Sequence, residues 1–172
     1  MTIRKLLSIV AILLSAAGPA AAQTYEEQMR TAAGAYERKD MAIAVRIWKT
    51  WADKGEAEAQ TLLGAMYWSG EGVRRDHREA AALYLRAARQ GYARAQNDIG
   101  FMYGFGEGIP PHDDVEAYKW LTLAIERYTV KNQDRRDQAI KDKAVLAKRM
   151  TRAQIAEAER RVKAWKPVPE MR

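Results

Sequence analysis

The chain repeats itself with a period of 36 residues, and this internal repeat restricts its fold more than any other feature. The segment GAMYWSGEGV at residues 64–73 returns as GFMYGFGEGI at residues 100–109. Beyond these segments the spacing becomes 37, because the loop before Asp113 is one residue longer than the loop before Asp76. The extra residue lies in this segment and nowhere else in the repeat, which indicates a surface loop that joins two repeated elements.

Both halves of each unit have the apolar spacing of an amphipathic helix. In the second half, the apolar residues lie at positions i, i+3, i+4, i+7 and i+8. The copies of this stripe are Ala80, Leu83, Tyr84, Ala87 and Ala88; Ala117, Trp120, Leu121, Ala124 and Ile125; and, earlier, Ala44, Ile47, Trp48, Trp51 and Ala52. Asp40, Asp76 and Asp113 stand four residues ahead of the stripes, where a carboxylate can accept hydrogen bonds from a first helical turn. The sequence therefore predicts an all-α fold of helix–loop–helix units.

The glycine-rich loops could be phosphate-binding loops or stops between helices. A phosphate-binding loop follows a strand and opens a helix. Residues 70–72 and 106–108 instead follow a helix, and each Gly-Glu-Gly carries a carboxylate that would repel phosphate. We therefore interpret these glycines as helix stops. Gly64 and Gly100 stand inside a helix, where glycine costs roughly 1 kcal/mol relative to alanine, so that close approach of a neighbouring helix is the expected compensation.

The pattern A-Q-x-x-[LI]-G-x-M-Y-x-x-G-E-G-[VI], followed by Asp and then by A-x-x-[LW], resembles the Sel1-like repeat (SLR), a relative of the tetratricopeptide repeat. Two full units span residues 56–125, and a partial unit from Ala33 resembles the opening repeat of exported bacterial members. The resemblance implies a right-handed α/α solenoid over residues 23–128, with units 24–55, 56–91 and 92–128. It also implies a concave face that binds other proteins and has no chemistry of its own.

The absence of cysteine separates this chain from some exported SLR proteins. Cysteine-rich members of that group staple each repeat with a disulfide and have been linked to β-lactam binding. Because this chain has no cysteine, the resemblance gives no reason to expect that activity, and packing alone has to hold the fold.

The first 22 residues have the composition of a secretory signal peptide. Arg4 and Lys5 precede an apolar run at residues 6–17, and three alanines end at Ala22. The alternative, an uncleaved membrane anchor, needs about 18 or more apolar residues, and this run is shorter. We predict cleavage after Ala22 and a periplasmic or secreted protein, which makes nucleic acid an unexpected partner.

Residues 129–172 are predicted to form a basic helical C-terminal cap, because a repeat array needs an end that closes its apolar face. Residues 126–172 hold 14 Lys and Arg against 7 Asp and Glu, whereas residues 23–125 hold 13 against 15. This asymmetry suggests either weak association with an anionic lipid or cell-wall polymer in the envelope, or simply a solvated helix face.

Two helices are expected in this cap. The first lies near residues 132–149, with Ile140, Ala144 and Ala147 on its apolar face. The second lies near residues 152–166, and its apolar face is formed by Ile155, Ala158, Val162 and Trp165. Thr151 and Gln154 fit a capping box at the start of the second helix, and Pro167 and Pro169 end it.

The sequence offers no catalytic constellation and no cofactor or metal motif. Its two histidines, His77 and His112, stand beside Asp76 and Asp113 in equivalent loops, where two such pairs could in principle meet a metal ion. Adjacent residues on a turn do not converge on one ion, so we expect neither a metal site nor an enzyme. An enzyme directed at cell-wall or β-lactam substrates is only a distant third hypothesis.

Protein binding has a positive signal in three aromatic residues, Trp68, Phe101 and Phe105. They stand off the core stripe of the first helix of each unit and could anchor a protein or peptide partner on the concave face. The alternative is that they fill the seam between neighbouring repeats. The leading hypothesis is a monomeric, exported, non-catalytic scaffold that binds a protein partner in the bacterial envelope and regulates an envelope process.

Overall fold

The computed structural model of the protein describes residues 24–106 and 112–170, apart from the side chain of Phe105. The predicted signal peptide at residues 1–22 and the loop residue Glu107 lie outside this range. Within the described residues there are eight α-helices and no strand. They are α1 (Tyr25–Glu37), α2 (Met41–Asp53), α3 (Ala57–Ser69), α4 (His77–Arg89), α5 (Ala93–Phe105), α6 (Asp114–Arg127), α7 (Gln133–Arg149) and α8 (Arg152–Ala164).

The helices pack as consecutive antiparallel pairs, α1 with α2, α3 with α4 and α5 with α6, and each pair packs on the next through α2–α3 and α4–α5. The first helices of neighbouring pairs also touch, α3 on α5 and α5 on α7. Helices α7 and α8 both pack against α6. This arrangement confirms the predicted all-α solenoid that is closed by C-terminal capping helices.

The three aspartates predicted to begin the second helices do so. Asp76 accepts hydrogen bonds from the backbone N–H groups of Arg78 and Glu79, at 3.0 and 3.1 Å. Asp113 accepts equivalent bonds at 2.9 and 3.0 Å, and Asp40 accepts one from Ile43 at 3.4 Å. The caps fix where α2, α4 and α6 begin.

The predicted helix-stop glycines end α3 and α5. Gly70 and Gly106 have φ angles of 79° and 72°, in the left-handed region that favours glycine. Their N–H groups donate to the carbonyl oxygens of Met66 and Met102, at 2.8 and 2.7 Å. The helix-stop interpretation is confirmed for Gly70 and Gly106, whereas Gly72 lies in the loop after α3 and Gly108 lies outside the described residues.

Gly64 and Gly100, inside α3 and α5, are in close contact with the helix that follows. A Cβ atom on Gly64 would lie 2.9 Å from Cε1 of Tyr84, and one on Gly100 would lie 3.1 Å from Cγ of Leu121. The missing side chains therefore let α4 approach α3 and α6 approach α5, which is the expected compensation for glycine within a helix.

The repeated Ala-Gln pair has a structural role that the sequence pattern did not reveal. The side chains of Gln60 and Gln96 are completely buried. Their Nε2 atoms donate to the carbonyl oxygens of Ala52 and Ala88, at 3.3 and 3.1 Å. Each glutamine thus adds a side-chain hydrogen bond to a carbonyl group near the end of the preceding helix, which also accepts from the backbone N–H of Gly55 or Gly91.

The predicted apolar face of α7 is only partly right, because Ala147 packs half-buried on the core whereas Ala144 is exposed. Ile140 and Val145 are 40% and 57% exposed, whereas Ala139 and Leu146 are buried against α6. The helix is rotated because Leu146, together with Met150 just after the helix, buries more apolar surface than Ala144 and Ala147 could. On α8 the predicted face is confirmed, with Ala158 buried and the other three side chains half-buried.

The capping box at Thr151 is also confirmed. Gln154 N donates to Oγ1 of Thr151 at 3.2 Å, and Thr151 N donates to Oε1 of Gln154 at 2.8 Å. Among the helices of the described ranges, none is long and apolar enough to span a membrane.

After α8, residues 165–170 turn back across the array, and we call them the C-terminal strap. Trp165 packs edge to face on Trp120, with ring centroids 6.3 Å apart. The backbone N–H of Val168 donates to the carbonyl oxygen of Arg89 at 2.8 Å. Glu170 then accepts hydrogen bonds from Nε of Arg86 at 2.8 Å and from the amide of Gln60. The strap therefore ties the cap to the second helix pair.

Candidate binding groove along the first helices

Three hollows lie along the first helices of the pairs, α1, α3 and α5, and along α7, and we call them together the groove. The first hollow, between α1, α3 and α5, has a volume of about 320 Å³ and is lined by Tyr36, Glu37, Glu58, Leu62 and Arg94 among others. The second, between α3, α5 and α7, also has about 320 Å³, and the third, between α5 and α7, has about 130 Å³. Phe101 and Asp142 line both the second and the third hollow, which makes these two continuous.

The structure brings Trp68 and Phe101 together in the second hollow. Their rings make an edge-to-face contact with centroids 6.3 Å apart. Phe101 is 38% exposed, whereas Trp68 is half-buried and packs partly on the core beside α4. Trp68 thus belongs in part to the seam and in part to the groove. Phe105 is the last residue of α5, and its side chain lies outside the described part of the chain.

The third hollow is mainly apolar. Its walls include Leu121 and Leu146 from the core, Val145 from α7, and the ring of Phe101. Gly104 also lines this hollow. A Cβ atom on Gly104 would lie 3.3 Å from Cδ2 of Leu146, so a larger residue would crowd this wall. Phe101 therefore stands between a mixed polar and aromatic hollow on one side and an apolar hollow on the other.

Asp98 is the chemically distinctive residue of the second hollow. Its side chain keeps 25% of its surface exposed, and its Oδ2 lies 3.9 Å from Nε of Arg94. Burial raises the pKa of Asp98 to about 6, because Arg94 and Arg135 compensate only part of the cost of removing the carboxylate from water. Burial also raises the pKa of the neighbouring Tyr84, and the charge of Asp98 adds to that effect.

Sequence reasoning missed Asp98 and Asp142. A signal for the first was present, because the position 36 residues before Asp98 is occupied by Leu62. When one repeat has an aliphatic residue and the next has a carboxylate at the same position, packing of the repeat does not require the carboxylate. Such a residue is a candidate for a role in binding. Asp142 lies outside the repeats, so no such comparison could identify it.

The groove is acidic although the whole chain is basic. The charged residues that line its three hollows are Glu37, Glu58, Asp98, Asp142, Arg94 and Arg149. Arg149 is held by Asp114, with its Nε 3.0 Å from both carboxylate oxygens. The formal net charge of the chain is +7, so the sign of the groove is opposite to that of the protein.

The loop acids and histidines considered in the sequence are engaged within the protein. The hydroxyl of Tyr36 donates to Glu71 at 2.8 Å, so Glu71 joins the first pair to the second and is not merely a solvated acid. The ring of His77 stacks on Trp68 at 4.4 Å, and Nε2 of His112 lies 2.8 Å from Asp114. Within residues 24–106 and 112–170, no group of three or more side chains could hold a metal ion.

Part of the basic charge of the cap is paired with acids of α6. Nη1 of Arg161 donates to Glu116 at 2.8 Å, and Arg149 binds Asp114. Burial acts to raise the pKa values of both carboxyls, but hydrogen bonds from Lys119 and Arg161 to Glu116, and from Arg149 to Asp114, lower them overall. Some of the charge asymmetry of the sequence therefore serves contacts inside the molecule.

Paired helices stacked at a constant sequence period, with a groove along the first helix of each pair, define an α/α repeat protein. Residues 57–92 and 93–128 each match the family model described as the Sel1 repeat. The chain thus contains two Sel1 repeats, in agreement with the resemblance seen in its glycine loops.

Solved structures with the same fold include a protective antigen present in uropathogenic Escherichia coli strains, which displays an SLR fold. That structure is 27% identical, covers 81% of this chain with a TM-score of 0.68, and is matched over 29% of its own length. A Sel1 repeat protein from Oxalobacter formigenes is 33% identical, covers 63% of this chain with a TM-score of 0.55, and is matched over 43% of its length. The chain therefore spans less than half of either protein. No curated protein matches the chain significantly.

Proposed function

We propose that the protein is a non-catalytic scaffold that binds a segment of a partner protein in its groove, in the bacterial envelope, and thereby regulates an envelope process. Sel1 repeats typically serve as scaffolds for protein–protein interaction. Export rests on the basic, apolar and alanine-rich order of residues 1–22, which is typical of a signal peptide.

The observation that carries this proposal is the exposed ring of Phe101 between two hollows. A large aromatic side chain in a continuous groove loses little flexibility when it is covered, and aromatic residues dominate the energetics of many interfaces. Trp68 and Phe105 are proposed to extend the anchor, Trp68 through the part of its ring that faces the hollow.

We expect Phe101→Ala to weaken capture of a partner from envelope extract at least about fivefold, because an interface anchor commonly contributes more than about 1 kcal/mol. The melting temperature should change little, because the ring is already substantially exposed. Trp68→Ala should weaken capture and also destabilise the fold by about 1–3 kcal/mol, since the indole is half-buried against the core.

Val130→Ala is the matched control, because Val130 is 89% exposed and lies outside the groove. Capture would be quantified by mass spectrometry on the same extract for all variants, and melting would be followed by circular dichroism. Equal capture by the wild type and the Phe101 variant would contradict the proposal, whatever partner is found.

A second candidate function is favoured by the solvent side of the cap. Lys131, Arg135, Arg136, Lys141 and Lys148 are all exposed on α7 or just before it. Such a cluster can associate with an anionic lipid or cell-wall polymer through charge alone.

If this cluster is the binding element, the double variant Lys141→Glu, Lys148→Glu should lose most of its retention on phosphatidylglycerol vesicles. Retention of the wild type should also fall steeply between about 0.05 M and about 0.5 M NaCl, since exposed charges are screened. Lys49→Glu on α2 is the control, and phosphatidylcholine vesicles provide the uncharged surface. Salt-resistant retention would exclude this mode, and capture through Phe101 should fall much less steeply with salt than retention on vesicles.

A further inference from the structure

The groove combines apolar surface with two carboxylates, and the cost of burying one of them, Asp98, is only partly compensated by its neighbours. Asp98 and Asp142 line the same hollow as Trp68 and Phe101. Asp142 accepts a hydrogen bond from Nε2 of Gln138 at 2.8 Å, and the single cation within ion-pair distance of Asp98 among the described residues is Arg94, at 3.9 Å. A carboxylate in this position is stabilised by any further cation that enters the hollow.

The other groups that face Asp98 do not provide this cation fully. Arg94 lies on its own helix, Arg135 approaches from α7, and the phenols of Tyr84 and Tyr128 approach from α4 and from the end of α6. Arg135 is exposed, and the side chain of Asn97 also makes a hydrogen bond with Asp98. The effect of burial on the pKa of Asp98 still exceeds the combined effect of both arginines and this hydrogen bond. The hollow therefore keeps an unmet preference for positive charge.

The third hollow has a weaker preference of this kind. It shares Asp142 with the second hollow, but Asp98 does not line it, and the remaining wall is mainly apolar. The only cation on its wall among the described residues, Arg149, is held by Asp114. A ligand that fills both hollows has to present a cation and an apolar group about one side chain apart, on either side of the ring of Phe101.

We infer that the groove binds a protein segment in which a Lys or Arg side chain stands next to an aliphatic or aromatic one. The cation lies against Asp98 and Asp142, and the apolar side chain enters the hollow formed by Leu121, Val145 and Leu146, in contact with Phe101. Charge complementarity selects this occupant, because the groove is acidic on a protein of net charge +7. This inference rests on the proposed function and specifies the chemistry of its partner.

A displayed library of random dodecapeptides would be selected on the full wild-type protein, and every enriched sequence would be retested on Phe101→Ala. The expected result is enrichment of Arg or Lys beside Leu, Phe or Trp, with binding that depends on Phe101. The best peptide would then be synthesised together with an analogue that carries citrulline for arginine or acetyl-lysine for lysine. The neutral analogue should bind at least about tenfold more weakly, as expected for loss of a charge-assisted contact.

The same peptide would be titrated against Asp98→Asn at pH 7.5 and pH 5. Burial raises the pKa of Asp98 to about 6, so the wild type loses this charge at the lower pH and should bind at least about fivefold more weakly there. The Asn variant should bind weakly at both pH values. The Asn variant should remain folded, because burial of Asp98 disfavours its charged form, and asparagine replaces it by a neutral side chain of similar shape.

Asp53→Asn, which removes an exposed carboxylate from α2, controls for the change in net charge. If the peptides whose binding depends on Phe101 are neutral or acidic, the inference about the partner's charge is overturned. The proposed function of the groove as a protein-binding site would then still stand. An unchanged affinity of Asp98→Asn for a basic peptide would overturn the inference equally. Failure to enrich any Phe101-dependent peptide would overturn both the inference and the proposed function.

Discussion

A chain shortened after Ala164 is expected to lose at least about 3 kcal/mol of its free energy of unfolding, which lowers the melting temperature by about 10 °C. The truncation removes Trp165, whose ring packs on Trp120 and lies 4.4 Å below the guanidinium of Arg127. It also removes the hydrogen bond of Val168 to Arg89 and the hydrogen bond of Gln60 to Glu170. The ion pair of Glu170 with Arg86 adds about 1 kcal/mol or less, since both side chains are partly exposed.

Urea titration and thermal melting of the purified full chain and the shortened chain would measure this loss. Val168→Ala provides the matched control, because its side chain is 63% exposed and its backbone hydrogen bond is retained. We expect this variant to melt with the wild type. A shortened chain that melts within about 2 °C of the full chain, a difference of less than about 1 kcal/mol, would show that the strap does not stabilise the array.

Gly72→Ala is expected to destabilise the protein by about 3 kcal/mol, from two costs that add. Gly72 has a φ angle of 72°, which costs other residues about 1–2 kcal/mol. A Cβ atom at this position would also lie 2.6 Å from Cβ of Met41 and 3.2 Å from a methyl group of Val45. Neither neighbour can move away by a simple rotation, because Met41 and Val45 are fixed on α2, so that overpacking adds to the backbone strain.

Gly34→Ala is the matched substitution with the opposite sign. Gly34 lies within α1, and a new methyl group there would approach only the end of the Arg38 side chain, at 3.2 Å, which can rotate away. Alanine should therefore raise the free energy of unfolding by up to about 1 kcal/mol. Denaturant titration of both variants tests the pair, and equal effects would show that the contact with α2 is not what requires Gly72.

The repeated features were predictable from the sequence because each depends on neighbours within one unit. A carboxylate four residues ahead of an apolar stripe can only cap the helix that follows, as Asp76 does. A glycine just after such a stripe can end the helix in the left-handed region, as Gly70 does. Repetition then reinforces each local signal, so that the helix pairs follow from the period.

Features that depend on residues far apart in the chain were not predictable in this way. The rotation of α7 is decided by the surface that α6 offers to Leu146, and no periodic pattern within α7 encodes that surface. The strap pairs Glu170 with Gln60 and Arg86, which the sequence separates widely. Asp98 differs from its repeat counterpart Leu62. The partly apolar surroundings of Asp98 form only where α4, α5 and α7 come together in the fold.

The contact between Gln60 and Glu170 joins residues 110 positions apart, in a fold whose other helix contacts link near neighbours along the chain. Arrays built only from neighbouring contacts can start to fold at any unit and can fray from either end. The strap instead closes a long loop, and the entropy of that closure is lost before its contacts form. Its contacts couple the second helix pair to the cap. We therefore expect this pair to unfold together with the cap, so that the short solenoid loses its structure more cooperatively than an array held only by neighbouring contacts.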